Sequence, residues 1–96
     1  MNVLITGAAG WLARELATEL GERHQLRLTD RVDPAEATIF VPGQLERQPA
    51  PLDSAWPYVR AEITDLDAMT RAAEGMDALI HLAAATNGLP ENGPAI

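Results

Sequence analysis

The chain of 96 residues has no cysteine, no lysine and only four aromatic residues. The absence of cysteine excludes disulfides, thiolate metal sites and cysteine nucleophiles, and it fits the reducing cytoplasm in which we expect the protein to reside. Its two histidines, His24 and His81, lack a nearby carboxylate cluster, so we predict no metal site. With so few aromatic side chains, the core must be built from Leu, Ile, Val and Ala.

Long apolar runs and an excess of positive charge are also missing. No stretch reaches the roughly 20 apolar residues that a membrane-spanning helix requires, and residues 1–6 do not resemble a signal peptide. The formal net charge is −7, with carboxylates spread from Glu15 to Glu91. Because such a chain repels a phosphate backbone, we predict neither membrane nor nucleic-acid partners.

Four strand patterns alternate with two helical patterns along the chain. The predicted strands are residues 3–5, 25–30, 58–63 and 77–83. Leu12, Leu16 and Leu20 recur every four residues, which predicts a helix that ends before Gly21. The second helix begins at a capping-box pattern, Thr64–Asp67, and its apolar stripe consists of Leu66, Met69, Ala72 and Ala73.

This alternation predicts an α/β fold with parallel strands joined by crossovers. We expect the first half of a Rossmann-type doubly wound sheet, with strand order 3-2-1-4 and helices on both faces. Residues 31–56 are rich in proline, yet about 25 structureless residues would be unusual in a compact domain, so we expect local structure there, with Thr38–Val41 as a short extra strand. Residues 1–86 form the predicted dinucleotide-binding domain, and residues 87–96 a loop or truncated linker.

The segment from Thr6 to Ala13 joins the first strand directly to the first helix. Gly7 permits a tight turn, and Gly10 removes a side chain where a pyrophosphate must approach the backbone. The N–H groups at the start of the helix, around Trp11 and Leu12, would then point at the phosphates. The alternative is a tight strand–helix connection without a ligand, and Trp11 could equally be a partly buried surface ring.

Asp30 ends the second predicted strand, 20 residues after Gly10. A carboxylate there can accept both ribose hydroxyls of an adenosine and repel a 2′-phosphate, which favours NAD over NADP. Arg31 could stack on adenine or meet a 2′-phosphate. The alternative role for Asp30 is an ordinary turn or cap residue.

Weaker candidates end the remaining strands. The Glu62 carboxylate could accept from the adenine amino group while the Ile63 N–H donates to the ring, although a solvated strand-end Glu fits as well. Leu82, Ala83 and Ala84 are small enough to let a dinucleotide lie across the sheet edge, or they pack in the core. His81 is interpreted as a core or face-lining histidine rather than a catalyst.

Four segments together resemble the extended short-chain dehydrogenase/reductase superfamily, in its NAD-dependent epimerase/dehydratase group. They are VLITGAAGWLA (3–13), LTDR (28–31), AEITD (61–65) and DALIHLAAAT (77–86). The resemblance implies that Gly7, Gly10, Trp11 and Leu12 contact the pyrophosphate, Asp30 and Arg31 the adenosine ribose, and Glu62 and Ile63 the adenine. Leu82, Ala83 and Ala84 would pass beneath the nicotinamide-side ribose. Ala13 and Glu62 depart from the commoner Gly and Asp of this group.

The resemblance also implies a Tyr-x-x-x-Lys catalytic pair, and this sequence does not contain one. Tyr58 is the only tyrosine and there is no lysine. We therefore expect an N-terminal piece of a longer NAD-dependent sugar epimerase, dehydratase or oxidoreductase. The substrate, a sugar or sugar nucleotide, would be bound only in the full-length parent, which could form a homodimer. The alternatives are a non-catalytic NAD(P)-binding sensor of the same fold and a different mononucleotide-binding α/β domain.

Overall fold

A computed structural model describes residues 1–40, 43–52 and 55–83. Within these ranges the chain forms two α-helices, α1 (Trp11–Leu20) and α2 (Leu66–Ala73). The strands are β1 (Asn2–Thr6), β2 (Gln25–Asp30), β3 (Thr38–Ile39), β4 (Gln48–Pro49), β5 (Tyr58–Arg60) and β6 (Ala78–His81). Four of them form one parallel sheet in the order β5-β2-β1-β6. This order confirms the predicted arrangement.

Two predicted strands are too long, and the reason is the length of their partners. The third strand was expected to reach residue 63, but β5 ends at Arg60, which pairs with the last residue of β2, Asp30. The fourth was expected to reach residue 83, but β6 ends at His81, which pairs with the last residue of β1, Thr6. Each outer strand therefore stops where the strand beside it stops.

One face of the sheet packs against α1. Alternate residues of the two central strands, Val3 and Ile5 with Leu26 and Leu28, form this buried face. The helix approaches it through Ala13 and Ala17, whose small side chains are almost completely buried.

The leucine repeat that predicts α1 does not form the buried side of this helix at its first position. Leu12 is 61% exposed, whereas Leu20 is partly buried against the core. Successive helix positions are 100° apart, so a helix that buries Ala13 and Ala17 turns Leu12 toward its rim. Leu12 is thereby left at the surface beside the turn that precedes the helix.

The opposite face buries Leu4, Thr6 and Thr29 and lies against α2. Arg27 on this face donates from Nη1 to the carbonyl oxygens of Ala72 and Glu74, both at 2.7 Å. This contact ties the carboxyl end of α2 to the sheet. Helices therefore lie on both faces, as predicted.

The second helix begins one residue later than its capping pattern predicts. Asp65, not Thr64, is the N-cap, and its side chain accepts from the Ala68 N–H at 3.1 Å. Of the apolar stripe only Ala72 is buried, whereas Leu66 is 78% exposed and Ala73 is exposed as well. Contact with the sheet is therefore made by the last turns of α2.

The crossover from β2 to β5 contains no α-helix in its described part. It forms a 3-10 turn at Pro34–Glu36 and a two-stranded antiparallel ribbon of β3 and β4. This confirms the expected local structure, although β3 covers only Thr38–Ile39 and Val41 lies outside the described residues. Leu52 and Trp56 pack against the core cluster beside α1. The crossover thus takes the covering role that a helix has in a regular βαβ unit.

No helix in the described ranges has the length and apolar character needed to cross a bilayer.

Leu28 and Leu45 provide a matched pair for testing the core. Leu28 is 1% exposed and Leu45 is 94% exposed. We expect Leu28→Ala to lower the free energy of unfolding by about 2–5 kcal/mol, because it removes buried contacts and leaves a cavity. Leu45→Ala should change it by no more than about 0.5 kcal/mol. Urea unfolding of both variants measures the difference, and equal effects would contradict the assignment of the core.

Tyr58 should make stability pH-dependent in the alkaline range. Its hydroxyl donates to the Val32 carbonyl oxygen at 2.6 Å, and burial, reinforced by the Asp30 carboxylate, raises the pKa of Tyr58 to about 12. The unfolded chain loses this proton near pH 10, so the free energy of unfolding should fall as the pH rises from about 10 to 12. Urea unfolding across this range should show a shallower fall for Tyr58→Phe; identical slopes would contradict the prediction.

Candidate functional site

The turn between β1 and α1 lies at the carboxyl edge of the parallel sheet. Gly7 has a φ of +69°, in the left-handed region that glycine adopts without a Cβ penalty. The Gly10 N–H donates back to the Gly7 carbonyl oxygen at 3.0 Å, which closes a four-residue turn. Gly10 is also the N-cap of α1. The structure therefore places both glycines in the predicted strand–turn–helix context.

Gly7 is required for a second reason that the sequence does not reveal. A Cβ at this position would lie 2.6 Å from the Ala83 nitrogen and 2.8 Å from the Leu82 carbonyl carbon. Both are backbone atoms, so no side-chain rotation could relieve the overlap. The segment after β6 is thus packed directly against the turn after β1.

The amino end of α1 has the properties of an anion-binding helix start. No side chain caps it, and there is no acidic residue in its first turn. The N–H groups of Trp11 and Leu12 lie in the first turn, where N–H groups have no partner within the helix. Their side chains are exposed, Trp11 by 38% and Leu12 by 61%, so neither is a core residue. These features fit a bound diphosphate.

Asp30 holds the turn from the neighbouring strand. Its Oδ2 accepts from the Ala9 N–H at 2.9 Å, and its Oδ1 accepts from the Arg31 N–H at 2.7 Å. A carboxylate has about four lone-pair sites, so two backbone bonds leave acceptor capacity for ribose hydroxyls. The cap-like role and the ribose-binding role are therefore compatible in this geometry.

The other predicted residues follow the ends of the outer strands. Arg31 is exposed, and its carbonyl oxygen accepts from Arg60 Nε at 3.1 Å. Glu62 and Ile63 are exposed and lie beyond β5 rather than within it. Leu82 and Ala83 are partly buried just after β6, and Ala84 lies outside the described residues. Because all four strands are parallel, these positions share one edge of the sheet with the glycine turn.

A buried hydroxyl joins the ends of β1 and β6. Thr6 Oγ1 lies 2.7 Å from His81 Nδ1, and it accepts from the Leu82 and Ala83 N–H groups at 3.1 and 3.3 Å. The same hydroxyl thus joins the His81 ring to the two backbone amides that follow β6. His81 is therefore satisfied by a partner, as predicted, although it is exposed rather than buried in the core.

Sequence reasoning missed Arg14, which contacts the same turn. Arg14 Nε donates to the Ala9 carbonyl oxygen at 3.0 Å, and Nη2 donates to the Ala50 carbonyl oxygen at 2.6 Å. Burial lowers the pKa of Arg14, while the Asp30 carboxylate acts in the opposite direction; the guanidinium remains charged in proteins. The available signal was its place beside Ala13, since helical side chains lean toward the amino end.

A four-stranded parallel sheet with helices and a glycine turn after its first strand defines the Rossmann-like class. Within this class, the chain belongs to the NAD-dependent epimerase/dehydratase family, whose model matches residues 3–93. This confirms the family that the four sequence segments indicate. The finding extends through the crossover, which those segments left out.

Known relatives agree with this membership. The chain is 36% identical over 81 residues to an NAD-dependent glucose-6-phosphate dehydrogenase of Haloferax volcanii, covering 84% of this chain and 27% of that protein. A mutated uronate dehydrogenase shares the fold with a TM-score of 0.61 and 26% identity, over 88% of this chain and 26% of that one. These names describe dehydrogenases and give no support to the regulatory alternative.

A third relative shows the fold alone. It is a crystal structure, with bound NAD, of a short-chain dehydrogenase/reductase superfamily protein from Agrobacterium tumefaciens. The TM-score is 0.65 at 21% identity, over 99% of this chain and 24% of that one. The chain thus spans about a quarter of the length of each of these three relatives.

Gly7 and Gly75 separate backbone strain from steric overlap. Gly75 also has a positive φ, +77°, but a Cβ there would meet nothing within 4 Å. We expect Gly75→Ala to lower the free energy of unfolding by about 1–2 kcal/mol, the cost of a left-handed alanine. Gly7→Ala should cost more, because the turn and the Leu82–Ala83 segment must also move apart. Urea unfolding compares the two variants, and equal costs would show that the close approach is unimportant.

Proposed function

We propose that this chain binds NAD across the carboxyl edge of its sheet, as the cofactor-binding part of a sugar oxidoreductase. The observation that carries the proposal is the Gly7–Gly10 turn, fixed by Asp30 at the point where an uncapped helix begins. The family is NAD-dependent by its description. We infer the preference for NAD over NADP, and the contacts of each residue with the cofactor, from the positions of these residues at the sheet edge.

The diphosphate would be held by backbone N–H groups at the start of α1. Trp11 and Leu12 lie there, Gly7 forms the tight turn, and Gly10 removes a side chain from the approach. Hydrogen-bond donors and the positive end of the helix dipole favour an anion at this position. Local geometry is required because the whole chain, at −7, repels anions.

Asp30 would select the adenosine ribose. Its free lone pairs can accept from the 2′- and 3′-hydroxyls, and its negative charge repels a 2′-phosphate. Arg31 is exposed beside it and is available to the adenine face. Glu62 and Ile63 would meet the adenine edge, while Leu82 and Ala83, with Ala84 beyond them, would underlie the nicotinamide-side ribose.

The substrate would be a sugar or sugar derivative bound by the longer parent protein. Two of the relatives are named for dehydrogenation of glucose 6-phosphate and of a uronate. Bound NAD supplies a hydride acceptor or donor. A Tyr-x-x-x-Lys pair for proton transfer would have to lie outside this chain, which contains no lysine. Within this chain, the residues at the sheet edge bind and orient the cofactor.

Calorimetric titration with NAD and NADP tests the proposal. We expect the chain to bind NAD more tightly than NADP. Asp30→Asn should reduce the ratio of the NADP dissociation constant to the NAD dissociation constant at least about fivefold, since a unit-charge repulsion at 4 Å is worth about 1 kcal/mol even in water. Asp30→Ala should also weaken NAD itself, because the Ala9 N–H loses its acceptor. Glu22→Gln is the charge-matched control, in the exposed turn at the other end of the sheet.

Preference of the unmodified chain for NADP would refute the cofactor assignment. If Asp30→Asn leaves the ratio of the two dissociation constants unchanged, Asp30 does not contact the ribose. If Asp30→Asn and Glu22→Gln change this ratio equally, the preference for NAD arises from the net charge of the chain.

A further inference from the structure

Arg14 connects three parts of the molecule that are separated in sequence. Its guanidinium bonds the carbonyl oxygens of Ala9, in the glycine turn, and Ala50, in the crossover, from the second turn of α1. Asp30, at the end of β2, interacts with it electrostatically. Arg14 is partly buried at this junction.

Both backbone groups of Ala9 are held by charged side chains. Its N–H donates to Asp30 Oδ2 at 2.9 Å, and its carbonyl oxygen accepts from Arg14 Nε at 3.0 Å. Hydrogen bonds to charged groups are stronger than neutral ones. The two peptide planes that meet at Ala9 are therefore fixed from opposite sides, by an anion and by a cation.

This arrangement matters for any anion at the turn. A carbonyl oxygen without a donor would present negative partial charge to a diphosphate, and Arg14 provides a donor for the Ala9 oxygen. We propose that Arg14 is a positioning residue for the diphosphate of NAD, which orders the glycine turn and couples it to the crossover at Ala50. The inference rests on the proposed cofactor function.

The crossover offers a fixed point for this coupling. The Ala50 N–H donates to the Ala37 carbonyl oxygen at 2.9 Å, and the Leu52 N–H donates to the Pro34 carbonyl oxygen at 2.7 Å. A cavity of about 230 Å³ lies between α1 and the crossover, lined in part by Arg14, Leu52 and Trp56. Arg14 therefore connects a hydrogen-bonded segment of the crossover to the glycine turn.

Arg14→Met keeps much of the apolar stem but removes the donors. We expect it to weaken binding of NAD and ADP about tenfold or more, the effect of a lost charged hydrogen bond, and to change adenosine binding by less than about twofold, because adenosine carries no phosphate. The affinity of Arg14→Lys for NAD should lie between those of Arg14→Met and the unmodified chain, since an ammonium cannot form the two parallel contacts of a guanidinium. Arg23→Met removes the same charge from the exposed turn after α1 and should leave all three affinities unchanged.

Amide hydrogen exchange in the ligand-free chain gives an independent measurement. The Ala9 and Gly10 amides should exchange faster in Arg14→Met than in the unmodified chain or in Arg23→Met. The inference is overturned if Arg14→Met binds NAD normally, if adenosine binding weakens as much as NAD binding, or if Arg14→Lys behaves like the unmodified chain. If the unmodified chain binds no NAD, the proposed function fails, while the exchange rates still decide whether Arg14 orders the turn.

Discussion

The close approach of Gly7 to the Leu82–Ala83 backbone is the constraint on which the sheet edge depends. Two parallel strands, β1 and β6, end at the same level, where Thr6 pairs with His81. The turn after β1 runs toward β2, whose Thr29 carbonyl oxygen accepts from the Ala8 N–H at 3.1 Å. The segment after β6 begins on the other side of β1. In open α/β sheets, ligands bind outside the carboxyl ends of the strands, which is where this turn and this segment lie.

Opposite charges on two elements stabilise this edge. Asp30 from β2 and Arg14 from α1 both bond Ala9, so a strand and a helix position the same residue. The Thr6 hydroxyl adds a third anchor, at the amides of Leu82 and Ala83. Each anchor uses a backbone group, and the buried side chains of Ala8 and Ala9 pack the same turn into the molecule.

The sequence was sufficient for features that follow from periodicity and glycine spacing. Strand order, the Gly7 turn and the position of Asp30 all follow from local patterns that tertiary structure did not override. It was insufficient where contacts with other parts of the chain determine the structure. β5 ends where its partner strand ends, at Asp30. Leu12 is exposed because the helix buries Ala13 and Ala17 instead. Arg14 belongs to the same group, since its acceptor on Ala50 lies 36 positions away.

The ribbon of β3 and β4 has a consequence for how this domain can be altered. Residues 43–46, between its two strands, are all exposed, and Leu45 contacts little of the molecule at 94% exposure. Arg47, which follows these residues, closes the ribbon by donating hydrogen bonds to the Thr38 hydroxyl and carbonyl oxygens. An epitope, fluorophore or peptide graft at residues 43–46 would be separated from the Gly7–Gly10 turn by that closure, and exposed loop tips accept insertions. Residues 43–46 are therefore a suitable attachment point for probes that must not disturb the proposed cofactor site.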